Sequence, residues 1–267
     1  MKIAFHVAYF GKNYHGSQIQ PKVKTIASEL FRAFLSSGLL SKDDQNNIKF
    51  AARTDKGVSS IQQVVVIITE KIPIISQINH YLPSDIRVLG KKEVAHYFCP
   101  RKNAKRRTYR YILYNQNYDS RLMDNAKERF LGVKSFHNFT KEREKNVIQS
   151  ISDINIKING DFIFIDISAK SFLWEQVRKI SYLLKEVGCH NILIDTIDQY
   201  FDSSCAKLVP SLSSENLILL KIDYDDLTFE YDEKELNKFI KYVHKQHIKS
   251  YAYSTLLKEV CDFPWTT

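Results

Sequence analysis

Ile48-Lys49-Phe50-Ala51-Ala52-Arg53-Thr54-Asp55-Lys56-Gly57-Val58-Ser59-Ser60 runs on into Ile61-Gln62-Gln63-Val64-Val65-Val66-Ile67-Ile68-Thr69. Alternation at Ile48 to Phe50 and the continuous β-branched run after Gln62 predict a strand on each side of a connection that holds Arg53 to Gly57. Strands pin a loop at both ends, so a side chain carried on it is held still. Asp55 is short, has the cations Arg53 and Lys56 close by, and precedes Gly57, which reaches backbone conformations closed to other residues. Flanking cations favour an ionised carboxylate, which predicts a charged Asp55 at neutral pH. Asp-Lys-Gly is also an ordinary turn, and spacing alone leaves both readings open.

Upstream, Ile3, Phe5, Val7 and Tyr9 alternate with smaller or polar neighbours, the pattern of a half-buried strand. A polar loop from Tyr14 to Pro21 follows. Thr25 is the candidate N-cap of a helix whose Ile26, Leu30, Ala33 and Phe34 share one face. Downstream, Pro83 predicts the end of a helix and Asp85 a turn into a strand from Ile86 to Leu89. Arg101, Lys102, Lys105, Arg106, Arg107 and Arg110 then fall in one stretch with no acid, interleaved with Tyr109 and Tyr111. Such a mixture suits a nucleic-acid surface, where guanidinium groups neutralise phosphates and rings stack on bases, although a charge run also serves as a solvated face. The alternation of Tyr109, Tyr111 and Leu113 places a strand there.

Further on, a helix is expected around Leu122 to Leu131. A strand is expected over Asp161 to Ser168, with apolar residues on both faces. A helix follows with Val177, Ile180, Leu184 and Val187 buried and Gly188 as C-cap. The acidic patch Asp225 to Glu235 leads into a helical tail from Leu236 to about Val260, a segment for packing or dimerisation. The order of strands and helices argues for a mixed α+β architecture.

The chain of 267 residues is 44% apolar and 26% charged, an ordinary globular composition, and its net charge of +9 favours a polyanionic partner. The four cysteines, Cys99, Cys189, Cys205 and Cys261, have no C-x-x-C spacing and no accompanying histidine cluster, so they read as reduced thiols rather than zinc ligands. The N-terminus is too interrupted for a signal peptide and no apolar run approaches a membrane span. The expectation is a protein of the cytoplasm with no membrane partner and no metal.

Arg53-Thr54-Asp55-Lys56-Gly57-Val58 resembles the R-T-D-x-G-V signature of the TruA family of tRNA pseudouridine synthases, whose aspartate is catalytic. Five further stretches resemble family motifs in family order. They are Tyr14 to Gln20 (Y-x-G-x-Q-x-Q), Ile78 to Val88, Tyr97 to Arg101, Arg107-Thr108-Tyr109-Arg110-Tyr111 (R-x-Y-x-Y), and Phe172 to Arg178 (F-L-x-x-x-V-R). Leu208 to Tyr224 is similar to the closing strand. Phe136 to Phe139 is similar to the family's H-D-F segment, with Asn138 in place of the acid, and implies a structural or RNA-contact role for His137. The Lys56 to Ser59 continuation looks closer to the archaeal and eukaryotic branch than to the bacterial one.

The resemblance implies an α+β fold of two related α/β-sandwich domains, residues 1–102 and 103–267, sharing a central antiparallel sheet with a basic active-site cleft. It implies isomerisation of uridine to pseudouridine in tRNA, in the anticodon stem–loop at positions 38 to 40, by a cofactor-free homodimer. Asp55 would be the catalytic carboxylate, Tyr109 would pack on the target base and Arg178 would pair with Asp55. Tyr14, Gln18, Gln20, Arg53, Arg101, Lys105, Arg106, Arg107 and Arg110 would contact RNA, with Arg53 entering the space left by a flipped base. A multisite enzyme of the same family, or an RNA-binding protein without catalysis, are the alternatives.

Overall fold

The computed structural model of the chain describes residues 1–141, 147–202, 204 and 207–263. The alternating N-terminal segment forms β1 (Lys2–Tyr9), which is buried on both faces rather than one. Phe5, Val7 and Tyr9 face a cluster with α1 (Ile26–Ser36), while Ala4 and His6 lie toward Phe229 and Tyr231 from the far end of the chain. The distant segment that covers the second face is invisible in a local alternation. α1 starts where expected: Thr25 Oγ1 accepts the Ser28 N–H at 3.1 Å and Ser28 Oγ accepts the Thr25 N–H at 3.0 Å, a reciprocal cap.

Next come β2 (Lys49–Phe50), β3 (Ser59–Ile68), α2 (Ile75–Tyr81) and β4 (Ile86–Glu93), then β5 (Arg106–Tyr114), α3 (Ser120–Ala126), β6 (Gly132–Ser135), β7 (Ile148–Asn159) and β8 (Phe162–Ala169). The chain continues with α4 (Gln176–Gly188), β9 (Leu217–Asp223), β10 (Glu230–Tyr231) and α5 (Glu233–Asp262). The strands form one ten-stranded sheet in the order β10-β4-β1-β3-β9-β5-β8-β7-β6, with β2 on β3. The pairings are antiparallel apart from β3 with β9, which is parallel and joins Ser59 to Ile218 and Ser60 to Leu219. On either side of that seam the same arrangement recurs. β4-β1-β3 and β9-β5-β8 each put the earliest strand in the middle, and a helix (α2 or α4) precedes the last strand of each set.

Several expectations are corrected in detail. The helix expected to reach Leu131 ends at Ala126, and Lys127–Phe130 tightens into a 3-10 turn that drives Phe130 among the rings of Phe139 and Phe201. β8 does carry apolar residues on both faces, with Ile163, Ile165 and Ile167 buried on one and Phe162 and Phe164 less buried on the other. Gly188 is not the left-handed residue that ends α4. His190 takes that conformation (φ 59°), and the N–H groups of His190 and Asn191 close onto Val187 O and Glu186 O, both at 2.9 Å. Gly188 answers a different need, because a Cβ there would lie 2.7 Å from Met123 Cγ on α3. Cys99, Cys189 and Cys261 are free thiols, and Cys205 lies outside the described residues. Among the described residues no helix is long and apolar enough to cross a membrane.

Gly188→Ala drives a methyl group into the buried Met123 side chain of α3. The expected outcome is a loss of about 1–3 kcal/mol, read from the urea midpoint.

Candidate active site

The loop between β2 and β3 is built to reach the seam. Ala51 N–H still bonds Val64 O at 2.9 Å, but one residue later the fully buried Gln63 side chain replaces the ladder. Its Nε2 donates to Ala52 O at 2.9 Å and its Oε1 accepts the Ala52 N–H at 3.1 Å. Thr54 is then locked from three sides. Its N–H donates to Ser17 Oγ at 2.8 Å, its carbonyl accepts the Ser17 N–H at 2.9 Å, and its hydroxyl meets Tyr9 Oη at 2.8 Å. Val58 N–H bonds Asp55 O at 3.2 Å and Gly57 sits at φ 85°, so Asp-Lys-Gly is a turn and also a mount for Asp55. Two glycines let the 11–17 loop press against it: a Cβ at Gly11 would fall 2.1 Å from Val58 O, and one at Gly16 2.8 Å from Thr54 O.

Across the seam stands Arg178, in the first turn of α4. The amphipathic pattern alone would leave it on the surface, yet it is buried. Its Nη2 reaches Asp55 Oδ2 at 3.1 Å and Glu175 Oε1 at 2.8 Å, and its Nη1 donates to Leu212 O at 2.9 Å and Ser211 Oγ at 3.1 Å. Glu175 holds a left-handed conformation (φ 67°) as the residue before α4, a strained state for a non-glycine residue. The guanidinium is therefore aimed by two carboxylates and a carbonyl. Below it Lys179 is buried too, donating to Thr140 O at 3.2 Å, and its pKa is lowered by that burial.

Burial pushes the Asp55 carboxyl above its ordinary value; the Arg178 hydrogen bond and charge pull it back, Glu175 pushes it further and Lys141 opposes it. The flanking cations do not play the part expected of them. Arg53 and Lys56 are exposed, and the cation that sets the ionisation of Asp55 is Arg178, 123 positions away. Tyr109 lies in β5, buried, edge-on to Phe172 with centroids 5.3 Å apart. Burial, then the neighbouring Tyr9 and Asp55, hold its phenol protonated to well above the usual range.

The residues expected to touch RNA divide sharply. Arg53, Gln18, Gln20 and Arg101 are exposed, although the Gln20 amide is tied to His15 O at 2.5 Å. Tyr14 is a correction: it is a core residue whose hydroxyl donates to Asp85 at 2.6 Å, while its carbonyl holds Gly57 N–H. Arg107 is another. Its guanidinium is buried on the carbonyls of Ala51, Arg101 and Lys170, where it clamps the start of the loop to the second half of the sheet. Lys105, Arg106 and Arg110 are paired with Asp225 (2.8 Å), Asp223 (2.8 Å) and Asp166 (2.6 Å). Half of the acid-free run is thus neutralised, and two of those pairs come from neighbouring strands, since Arg106 sits opposite Asp223 and Arg110 opposite Asp166 in register. His137 has both ring nitrogens buried without a hydrogen-bond partner among the described residues.

Sequence reasoning missed Glu175, Ser17, Tyr9 and Gln63. Glu175 left one signal, an acid three residues before Arg178 at a spacing that pairs on a helix. The other three act through a backbone path that no local pattern records.

Residues 126–225 match a family model described as tRNA pseudouridine synthase. Proteins called tRNA pseudouridine synthase A are similar along most of the chain. That of Methanocella arvoryzae is 37% identical, over 87% of this chain and 88% of its own. That of Thermococcus kodakarensis is 32% identical over 96% and 97%, and that of Pyrococcus abyssi 34% over 92% and 93%. Among solved structures, a Cbf5-Nop10-Gar1 complex aligns at 11% identity and a TM-score of 0.38, over 82% of this chain and 49% of that one.

Charge removal around Asp55 should move its titration in opposite directions. Glu175→Gln takes away a repelling carboxylate and lowers the Asp55 midpoint, whereas Arg178→Gln removes its partner and raises it. Carbon-13 NMR of labelled aspartate carboxyls reads both shifts.

Proposed function

We propose, for a chain that belongs to the TruA family of tRNA pseudouridine synthases and isomerises uridine to pseudouridine in tRNA, that Asp55 is the reacting carboxylate, Arg178 its holder and Tyr109 the surface behind the base. The observation that carries this reading is the Asp55–Arg178 pair, closed at 3.1 Å across the β3–β9 seam. Isomerisation breaks the bond from N1 to the sugar C1′, turns the freed uracil and joins C1′ to C5. The C5 hydrogen leaves as a proton and N1 ends protonated. Asp55 serves by attack at C6, by attack at C1′, or by taking a proton from C2′, and each route needs the carboxylate ionised. Every step moves electron pairs and protons within one nucleotide, so the proposed route uses no cofactor.

Arg178 supplies the charge that keeps a half-buried carboxylate ionised and fixes its direction. Tyr109, protonated throughout the working range, offers a ring to the flipped base and a hydroxyl near C5. Arg53 is exposed two residues before Asp55, placed to fill the gap the base leaves. Arg101 and Lys102, exposed and without an acidic partner among the described residues, contact phosphate, and the exposed Gln18 and Gln20 contact RNA as well. The target is the anticodon stem–loop at positions 38 to 40, the protein acts as a cytoplasmic homodimer, and residues 1–102 and 103–267 form its two domains. Light scattering at working concentration checks the dimer, and a monomer removes it.

Tritium release from tRNA labelled at uridine C5 tests the assignment. Release by the wild type and none by Asp55→Asn is expected, with a smaller loss for Tyr109→Phe. Equal release by Asp55→Asn removes Asp55 from the centre of the reaction. Mapping the modified uridines separates positions 38 to 40 from a multisite enzyme. The acid limb of kcat should lie above the ordinary carboxylate range, because the raised Asp55 must lose its proton to act. A limb at or below that range contradicts the assignment.

A further inference from the structure

α5 is 30 residues long, and only its beginning is attached to the rest of the molecule. Asp232 caps it, accepting the N–H groups of Lys234 and Glu235 at 3.1 Å. Glu235, buried, accepts from Asn79 of α2 at 2.9 Å. Leu236, Phe239, Tyr242, Val243 and Gln246 continue the docked side, all half-buried. From His247 to Phe263 every residue is exposed. At 1.5 Å per residue, the sixteen helical residues beyond Gln246 project about 24 Å into solvent.

The direction of that projection is set by the sheet. Asp232 N–H bonds Leu89 O at 3.1 Å, and seven and ten residues further on the Phe239 and Tyr242 rings meet Phe10, at 6.2 and 6.3 Å. Tyr242 also lies within the electrostatic reach of Asp85 and Arg87. The helix therefore runs back along β4 toward Ile86, which pairs with the end of β1 at Tyr9. That end of the sheet carries the start of β3 and the loop bearing Asp55. α5 passes beside the 10–17 loop that braces Asp55 and leaves the molecule at the same edge.

Its chemistry is one-sided. Lys234, Lys238, Lys241, Lys245 and Lys249 are spaced four, three, four and four residues apart, and all are exposed. At 100° per residue they fall within an arc of about 80°, a stripe about 22 Å long. Lys238 is paired with Glu235 at 2.6 Å; Lys234, Lys241, Lys245 and Lys249 have no acidic partner among the described residues. No acid occurs between Glu235 and Glu259. This contrasts with the basic run of β5, whose charges are mostly spent on aspartates inside the sheet.

We infer that the lysine face of α5 is an arm that binds the phosphate backbone of the tRNA substrate outside the catalytic cleft. It rests on tRNA as the substrate. A row of unpaired ammonium groups on a helix directed past the catalytic edge meets a polyanion seated at that edge, and it gains affinity by releasing counterions. The helix offers a rival occupant as well. The seam Leu236, Phe239, Val243, Gln246 continues at the same three-four spacing through Ser250, Tyr253 and Leu257, and Tyr253 and Leu257 are 63% and 45% exposed. A second copy of the chain would use that seam and ignore the lysines.

The test is steady-state tritium release on full-length tRNA across a salt series. It compares wild type, Lys241→Gln/Lys245→Gln/Lys249→Gln and Tyr253→Asp/Leu257→Asp, with the mass of each by light scattering and helicity by circular dichroism. The lysine variant should keep its mass, helicity and kcat, raise KM about tenfold, and flatten the log–log salt dependence of kcat/KM by about two to three. An unchanged KM and salt slope in that variant overturns the arm, and a fall in mass confined to Tyr253→Asp/Leu257→Asp then assigns the helix to self-association. No turnover by the wild type is a different failure, that of the substrate reading itself.

Discussion

The active site depends on two residues of parallel pairing. Ser59 and Ser60 of β3 lie against Ile218 and Leu219 of β9, and the Ser60 hydroxyl adds a bond to Leu219 O at 3.3 Å. That short ladder fuses two repeated three-strand sets into one sheet, and Asp55 leaves its loop just before it. On the other side, β9 follows the Ser211–Leu212 segment that receives the Arg178 guanidinium. Asp55 and Arg178 meet because the seam holds the two halves in register. Arg107 reinforces the same junction from the strand behind, bonding Ala51 O at the root of the loop. A buried guanidinium spent on three carbonyls is a clamp, and its loss would free the loop as much as it would remove charge.

This arrangement holds groups in states they would not choose. Burial works against the charge on Asp55, and Glu175 adds repulsion while occupying a left-handed conformation. The sign for stability follows. A carboxyl whose folded pKa is raised stabilises the fold below its unfolded pKa and loses that contribution as pH rises through the folded value. Above the folded value the ionised Asp55 is therefore a stability cost that the well-packed clusters around it must offset. The surrounding apparatus (Gln63, Thr54, Ser17, Tyr9 and two close-approach glycines) is the rigidity that keeps such a group in place.

Many strands and helices are legible because each carries its own local signal: β1, β5, β8, α1 and α4 follow from alternation or a 3.6-residue face and β3 from a β-branched run, whereas β9 is readable only through the family resemblance. β7 carried an alternating signal too in Ile154, Ile156 and Ile158 and was not read. What local pattern could not supply was the partner of each surface. The second face of β1 is covered by residues more than two hundred positions away, and Arg178 is buried by a loop it meets only in the fold. The site residues became readable through resemblance to a family, which stores the outcome of folding that a single sequence does not display. Even so, resemblance does not display that the Tyr14 hydroxyl is engaged by Asp85 and the Arg107 guanidinium by backbone carbonyls of its own chain.

Charge was the least legible property, for a reason that sheet geometry makes plain. In a strand, residues that neutralise one another lie opposite in space and far apart in sequence, as Arg106 and Asp223 do. An acid-free run therefore says little about free charge. In a helix the neighbours that could neutralise a lysine lie three or four residues away and can be read directly. Lys238 finds Glu235 at that distance, and Lys241, Lys245 and Lys249 find no acid there. Local charge reading is thus trustworthy on a projecting helix and misleading in the sheet. The net charge of +9 is better located on α5, at Arg53 and Lys56, and at Arg101 and Lys102 where the densest basic segment begins, than in the rest of that segment from Lys105 to Arg110.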